Sequence, residues 1–321
     1  MRILVTGASG FVGRAVCRYL REAGHTVVAA IRQRAPDLPR EVEVALVGDI
    51  NATTIWSPAL ENVNGIVHLA ALTHRAQGLD DIETYRAINV EGTAQLASAA
   101  KAAGVETFLF MSSIKVNGEY SPLDAHGQPQ RLSGNDIPQP GSAYGQSKWE
   151  AEQRLEEIFR DSSIGLVILR PPLIYGPGQK GNLLSLMQFI DRGFPLPFAS
   201  SKNHRSLISV DNLAGAVVNS FVEGTVRSGT YTLADIDISS ADLVRAMAGA
   251  LAVQPRLFSV PFGILEWLAR AIGREEQLNK ITGNLIVDRD QFSQDFAWLP
   301  TLGFEHSLAD AVKSYRSMRR E

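Results

Sequence analysis

Arg2-Ile3-Leu4-Val5-Thr6-Gly7-Ala8-Ser9-Gly10-Phe11-Val12-Gly13 is the stretch from which the fold is read. An apolar run from Ile3 gives way to three spaced glycines, and these to a helix-period series of Phe11, Val12, Ala15, Val16, Tyr19 and Leu20. Such a strand, turn and helix suit a dinucleotide. Gly7 permits the tight turn, Gly10 lets a pyrophosphate approach the backbone, and Gly13 lets the helix pack closely with its N-terminus facing the phosphates. Spaced glycines alone are common in turns, but their place directly after the first strand favours a dinucleotide.

Outward from this turn, short apolar runs alternate with helix-period stretches, the pattern of strands and crossover helices. Strands are expected at residues 3–6, 26–31, 43–47, 65–69, 107–112 and 165–170, and helices at 11–23, 82–103 and 144–160. Right-handed crossovers stack these into an α/β, Rossmann-type, doubly wound parallel sheet with ligands at the carboxyl ends of the strands. After about residue 171 the rhythm breaks into Pro- and Gly-rich loops and shorter helices. The expected organisation is a dinucleotide-binding domain over residues 1–170, with 206–235 returning to it. A smaller, discontinuous C-terminal substrate-binding cap takes 171–205 and 236–321. Residues 118–142, with little periodicity and several prolines, read as an ordered loop over the site.

The chain has 321 residues, 45% hydrophobic and 20% charged, with a net charge of −3. That is an ordinary globular composition with no overall pull toward nucleic acid or an anionic membrane. A small-molecule partner is expected, with neither nucleic acid nor membrane, and no metal. The single cysteine, Cys17, excludes an intramolecular disulfide and reads as core filler on the apolar side of the first helix. The chain starts directly with a strand, leaving no room for a leader, and no apolar run approaches the ~18 residues of a membrane span. A cytoplasmic location is the expectation. Residues 257–272, rich in large apolar side chains, lack a lysine-rich polar face and read as packing under a substrate lid.

The end of the second strand selects the dinucleotide. An NAD site usually places Asp or Glu there for the ribose 2′-hydroxyl, whereas this chain has Ala30-Ile31-Arg32, and Arg32 suits a 2′-phosphate. NADP(H) is therefore favoured, with NAD(H) the alternative; Arg32 also reads, like Arg34 and Arg40, as solvated charge. Asp49, followed by Ile50 after the third strand, is placed for the adenine amino group or as a turn aspartate.

Tyr144 and Lys148 lie four apart, on one helix face. A tyrosine of pKa ~10 needs roughly 4 kcal/mol of differential stabilisation to work three units lower. A neighbouring ammonium and an oxidised nicotinamide are the expected sources. Ser113, at the end of a strand upstream, adds a hydrogen bond to a substrate oxygen that alternates between alcohol and ketone. Together Ser113, Tyr144 and Lys148 describe hydride transfer at a secondary carbon.

The combination resembles the extended short-chain dehydrogenase/reductases of the sugar-nucleotide epimerase, dehydratase and reductase kind. The matching segments are Thr6 through Gly13, His68-Leu69-Ala70-Ala71, Asn89-Val90-Glu91-Gly92-Thr93, Ser112-Ser113, Tyr144-Gly145-Gln146-Ser147-Lys148 and Leu169-Arg170-Pro171-Pro172-Leu173-Ile174-Tyr175-Gly176-Pro177. The resemblance implies that Leu69, Ala70 and Ala71 line the cofactor and that Asn89 steadies it. It also implies that Pro171, Pro172 and Leu173 meet the nicotinamide amide. From its residue type alone, Asn89 reads as a helix start.

On the substrate side the resemblance implies Asn182 and Arg205 as a grip on a nucleotide diphosphate, with Thr73, Ser113 and Lys115 as further contacts. Asp211 reads as the cap of a helix beginning at Asn212. Departures from the family pattern are Leu173, where many epimerases carry asparagine, and Asn117, where tyrosine is common before the glycine. A second phosphate arginine has only Lys280 and Arg289 as weak candidates. Ile114-Lys115 stand where dehydratases carry an Asp-Glu pair, which disfavours dehydration.

Three functions follow. The first is NADPH-dependent reduction of a UDP-linked 4-keto-6-deoxy-(N-acetyl)hexosamine for surface polysaccharide. The second is a UDP-sugar 4-epimerase retaining NAD, and the third a non-catalytic redox sensor on the same fold. Retention of Ser113, Tyr144 and Lys148 speaks against the sensor. A homodimer through helices 82–103 and 144–160 is implied, with alanines 87, 94, 97 and 100 permitting close approach.

Overall fold

Strand β1 (Arg2–Thr6) sits at the middle of a seven-stranded sheet because Ile3, Leu4, Val5 and Thr6 are all buried, leaving no solvated face. The structure, a computed structural model, describes residues 1–33, 38, 41–73, 81–201, 203–222, 226–260, 270 and 283–319. The sheet also contains β2 (Thr26–Ile31), β3 (Glu43–Leu46), β4 (Gly65–His68), β5 (Thr107–Met111), β6 (Gly165–Arg170) and β9 (Gly229–Thr232), in the order β3-β2-β1-β4-β5-β6-β9. Every neighbouring pair in it is parallel. The doubly wound sheet expected from the sequence is therefore observed. Strand order reverses direction between β1 and β4, which opens a crevice at their carboxyl ends.

Helix α1 (Phe11–Glu22) packs with α6 (Val210–Asn219) over one face, around Val16, Cys17, Leu20, Leu213 and Val217. Helices α3 (Gly92–Ala103) and α4 (Ala143–Phe159) cover the other face, around Leu96, Ala97, Ala100, Ala151 and Leu155. Cys17 is fully buried, and burial pushes its thiol up to about 12, so it is an inert filler.

The helix expected over residues 82–103 is continuous but not uniform. α2 (Ile82–Tyr85), capped by Asp81 accepting from Glu83 N, runs into a π-helical turn (Arg86–Glu91) before α3. Asn89 thus stands inside a wide turn, not at a helix start; such turns often mark functional sites.

A second, three-stranded sheet, in the order β10-β8-β7, joins β10 (Ile236–Ser239), β8 (His204–Ser209) and β7 (Leu173–Tyr175). Its core, including Tyr175, Met187, Leu207, Val244 and Val312, is shared with α5 (Asn182–Asp191), α7 (Ser240–Ala250) and α9 (Phe304–Met318). The helix α8 (Asp290–Phe296) puts Phe292 and Phe296 against Tyr231 of β9. The α6 helix begins at Val210, and its cap is Ser209, which accepts from Asn212 N at 3.1 Å. Asp211, expected as the cap, instead lies in the first turn and accepts from Arg18.

Residues 118–142 form an ordered loop. Ser121 Oγ accepts from Ile286 N at 2.9 Å, Leu132 bridges to Val287, and Arg131 donates to Val287 O at 2.9 Å and to Asp237 at 2.6 Å. Arg34, Arg40, Lys280 and most of 257–272 lie outside the described residues.

Candidate active site

At the end of β1 the chain turns through Gly7, whose φ of +66° belongs to the left-handed region where only glycine is at ease. A Cβ on Gly7 would come within 2.9 Å of Ala70 N, so this turn and the segment after β4 press together. Gly10 N donates to Gly7 O at 2.9 Å. A Cβ on Gly13 would stand 2.1 Å from Gly7 O, so the helix approaches the turn as closely as backbones allow. No side chain caps α1 at Gly10. The first-turn N–H groups, those of Phe11 and Val12 among them, are thus left for an external anion, and a pyrophosphate fits this cradle.

The segment Leu69-Ala70-Ala71 is held from both ends. Thr6 Oγ1 accepts from Leu69 N (3.2 Å) and Ala70 N (3.1 Å). Asn89 accepts from Leu72 N (2.8 Å) and donates to Leu72 O and Ser147 Oγ, each at 3.0 Å. Beneath it His68 bonds Thr6 Oγ1 at 2.7 Å and Thr93 Oγ1 at 2.8 Å. Thr93 Oγ1 already donates to Asn89 O, so the His68 proton belongs on Nε2 and Thr6 donates to Nδ1. Burial, with help from Lys148, pushes His68 down to about 3, so this ring is a neutral structural link.

Arg32 and Asp49 meet at 3.3 Å at the exposed ends of β2 and β3. That pairing, across two strands, was not visible in the sequence. Ile50 is packed against Gly92, where a Cβ would meet its Cγ2 at 2.8 Å.

Ser113 follows β5 and caps a short 3-10 turn (Ile114–Val116), accepting from Lys115 N at 3.3 Å. Ser142 caps α4, accepting from Gly145 N at 3.3 Å. The two segments touch at Gly145, where a Cβ would stand 2.6 Å from Lys115 O, and this brings Ser113 close enough to Tyr144 to lower the proton affinity of its phenol. Tyr144 also meets Tyr85 edge to face, with ring centroids 6.3 Å apart.

Lys148, one helical turn on, is 1% exposed and holds its ammonium 4.2 Å from the centre of the Phe110 ring. Burial pushes Tyr144 up to about 12 against the opposing effect of Ser113, and pushes Lys148 down to about 7 against the attraction of Glu152. The depressed tyrosine expected from the sequence is thus not a property of the chain alone. Desolvation, reinforced by Tyr85, outweighs the effect of Ser113.

Sequence reasoning missed Glu152. It continues the face of Tyr144 and Lys148 by one turn, a spacing that could have revealed it, and receives Arg170 Nε at 3.0 Å and Nη2 at 2.5 Å. Asn117, noted as a departure from the family pattern, is buried and accepts from Arg170 Nη1 at 3.1 Å.

Pro171 and Pro172 are buried directly after β6, while Leu173 is 41% exposed at the start of β7. Asn182 is exposed at the first position of α5, and Thr73 is exposed after the Leu69–Leu72 segment. Arg205 is pushed down by burial against the attraction of Glu119 and Tyr120, and donates to Gly283 O at 3.2 Å. Lys115 faces Glu119 at 3.8 Å. Arg289 donates to Asp235 O at 2.9 Å and reaches Asp237 at 3.6 Å, so it is engaged in joining α8 to the β9–β10 connection. Among the described residues, no group of His, Cys, Asp and Glu could hold a metal ion. None of their helices is long and apolar enough to cross a membrane.

Known proteins resemble this arrangement over its whole length. The chain is 34% identical to UDP-glucose 4-epimerase of Vibrio cholerae over 320 residues, covering 98% of this chain and 95% of that one. UDP-glucuronic acid 4-epimerase from Bacillus cereus, solved with UDP-glucuronic acid and NAD, superposes with a TM-score of 0.79 at 21% identity, covering 99% of this chain and 100% of that one. UDP-glucose 4-epimerase of Thermus thermophilus, solved with NAD, superposes with a TM-score of 0.77 at 20% identity, covering 98% and 99%. At those identities the two structures speak for the fold. The model of the NAD dependent epimerase/dehydratase family matches residues 3–229, from the first strand through the dinucleotide turn and the Ser113, Tyr144 and Lys148 segments. With the glycine turn, the serine and the Tyr-Lys pair all in that span, the chain is an enzyme of the NAD-dependent epimerase/dehydratase family, an extended short-chain dehydrogenase/reductase.

Proposed function

We propose that this enzyme moves a hydride at C4 of a UDP-linked hexose, and that its reaction is the NADPH-dependent reduction of a 4-keto-6-deoxy-(N-acetyl)hexosamine, in the cytoplasm. The observation that carries the C4 chemistry is the gathering of Ser113 and Tyr144 one turn from a buried Lys148, beside the glycine cradle. A bound nicotinamide dinucleotide supplies the hydride donor and acceptor.

The chain's own residues manage the proton. Tyr144, which burial keeps protonated at neutral pH, gives its proton to the C4 oxygen as that oxygen gains charge. Ser113 orients the same oxygen. Lys148 supplies the cation that makes the resulting phenolate tolerable in a buried site. Thr6, His68 and Asn89 fix the backbone from Leu69 to Leu72 that lines the cofactor. Gly7, Gly10, Phe11, Val12 and Gly13 hold the pyrophosphate, and Asp49 with Ile50 flank the adenosine. Pro171, Pro172 and Leu173 meet the nicotinamide amide. Asn182, Arg205, Thr73 and Lys115 hold the sugar nucleotide. With Ile114 and Lys115 after Ser113, no acid stands ready to expel water, so reduction is favoured over dehydration.

The reductase reading rests on Arg32, a cation where NAD sites place an acid. Its contact with Asp49 favours a second reading, because a guanidinium already paired offers less to a 2′-phosphate. That reading is UDP-sugar 4-epimerisation on retained NAD, the activity named for the Vibrio relative. Denaturing the purified protein, identifying released nucleotide and assaying NADPH oxidation with a UDP-4-keto-6-deoxy sugar separates them. NADPH turnover without stoichiometric bound NAD is expected; stoichiometric NAD with no NADPH oxidation would overturn the reductase in favour of the epimerase. We also propose a homodimer through the outer faces of α3 and α4.

A further inference from the structure

An ion pair behind the proton-transfer residues has no part in the chemistry described above. Glu152 on α4 is 2% exposed and Arg170 at the end of β6 is 4% exposed. Arg170 holds both carboxylate oxygens, at 3.0 and 2.5 Å, and Ser112 donates its hydroxyl to Oε1. The other guanidinium nitrogen donates to Asn117 Oδ1 at 3.1 Å and to Gly134 O at 3.3 Å, and Asn117 Nδ2 donates in turn to Ser133 O at 2.7 Å. The carboxylate is thereby fixed in place in the core. A buried pair of this kind gives little stability over apolar residues of the same size.

Lys148 lies one helical turn before Glu152 on the same face, also buried, with the Phe110 ring as the near partner of its ammonium. We propose that Glu152, clamped by Arg170, Ser112 and Asn117, is a positioning residue that keeps Lys148 protonated in its buried site. It acts through Lys148 and does not touch the substrate. This rests on Tyr144 and Lys148 being the proton-transfer pair of the proposed function.

The surroundings leave Glu152 as the anion able to do this. Among the described residues, the titratable groups that interact with Lys148 are Glu152 on its own helix and His68 on β4, with Tyr144 one turn before it. Tyr144 and His68 are held neutral by burial. Glu152 is also faced by Arg170 from β6 and by Glu156 on the next turn, whose carboxyl burial and Glu152 push up and Arg170 pushes down. For Lys148 itself, burial drives the proton off and the attraction of Glu152 opposes it. Removing the carboxylate charge lowers the lysine's proton affinity, so the ammonium is lost at a lower pH and the alkaline limb of activity moves down with it.

The test is Glu152→Gln, which keeps shape and removes charge. The Lys148 side chain is followed by NMR of protein carrying 13Cε-labelled lysine, its signal identified by its loss in Lys148→Met. The expected result is a Lys148 titration about one pH unit lower than in the parent protein, with the alkaline limb of kcat/KM displaced equally and Glu152→Asp restoring both. One unit above the limb this is about a ten-fold loss of activity, with little change on the acid side. An unmoved titration in folded Glu152→Gln overturns the proposal, as does a uniform loss at all pH values, the mark of a structural role alone. Should Glu152→Gln fail to fold with Arg170 unpaired, Glu152→Gln/Arg170→Gln leaves no orphaned charge and is read by the same two measurements. Undiminished turnover in Tyr144→Phe would instead refute the proton-transfer assignment, while the NMR titration still decides the role of Glu152.

Discussion

At Lys148, burial opposes the proton that the proposed chemistry uses, and this conflict can be measured in the folding equilibrium. Its folded pKa, about 7, lies below the unfolded value of 10.5. Between those values the unfolded chain binds more protons, so stability rises with pH there; below pH 7 the whole penalty is present, and above about 10.5 it has gone. Lys148→Met should therefore inactivate the enzyme yet stabilise the fold below pH 7 by up to roughly 5 kcal/mol, a gain that fades by pH 10 to 11. Paired thermal melts at pH 6 and pH 10 check this. An equal shift at both pH values would mean that packing, not charge, sets the difference. The spacing of Tyr144, Lys148 and the upstream Ser113 was legible because one helix and one strand end define it. The direction of the tyrosine shift was not, since desolvation is set by packing against residues such as Tyr85 that lie far off in the sequence.

Among the elements, the β1–α1 turn separates a glycine required by the fold from one required by the ligand. A Cβ at Gly13 would meet Gly7 O at 2.1 Å and Ala8 Cα at 2.7 Å, both backbone atoms that cannot step aside. At Gly10 the nearest atom would be Gly7 O at 3.1 Å, a tight but tolerable approach. Gly13→Ala is expected to destabilise the protein by about 3 kcal/mol or more, and Gly10→Ala by about 1 kcal/mol. Both should lose dinucleotide binding, Gly10→Ala because its methyl enters the space left for the phosphates. Melting temperature and NADPH fluorescence titration read the two effects separately; full NADPH affinity in Gly10→Ala would refute the cradle. Five of the sheet's strands were readable as apolar runs because burial on both faces removes alternation, and a sixth, the edge strand β3, was readable from its apolar residues although most of it is exposed. The seventh, β9, was not, since Gly229–Thr232 is short and gains its burial from β6 and the aromatic cluster of α8. The π turn was equally hidden: its sequence continues a helical period, and Asn89 bonds to Leu72 and Ser147, remote in the chain.

For the molecule as a whole, what decides assembly is which helix faces the protomer leaves uncovered. Of the alanines expected to let a second copy approach, Ala87 is exposed on the π turn, whereas Ala94, Ala97 and Ala100 are buried in the protomer, the last two in the core that α3 forms with the sheet. That long helices cover a parallel sheet could be read from the sequence; which of two small-residue stripes faces inward depends on helix rotation, and the π turn resets it. The outward face instead carries Ser98, Lys101 and Ala102 on α3, beside Gln153, Arg154 and Glu157 on α4, all exposed. Ser98 and Ala102 are small enough for the α3 axes of two copies to come close, and Arg154 and Glu157 of each copy offer polar partners at the rim. Light scattering at micromolar concentration should then give twice the 34.9 kDa chain mass. Ser98→Arg, placing a long cation on that face without touching the core, should shift the mass toward one copy while leaving the protomer's melting transition near its parent value. A parent protein that is monomeric in solution refutes the dimer, and a Ser98→Arg protein still dimeric would place the contact on another face.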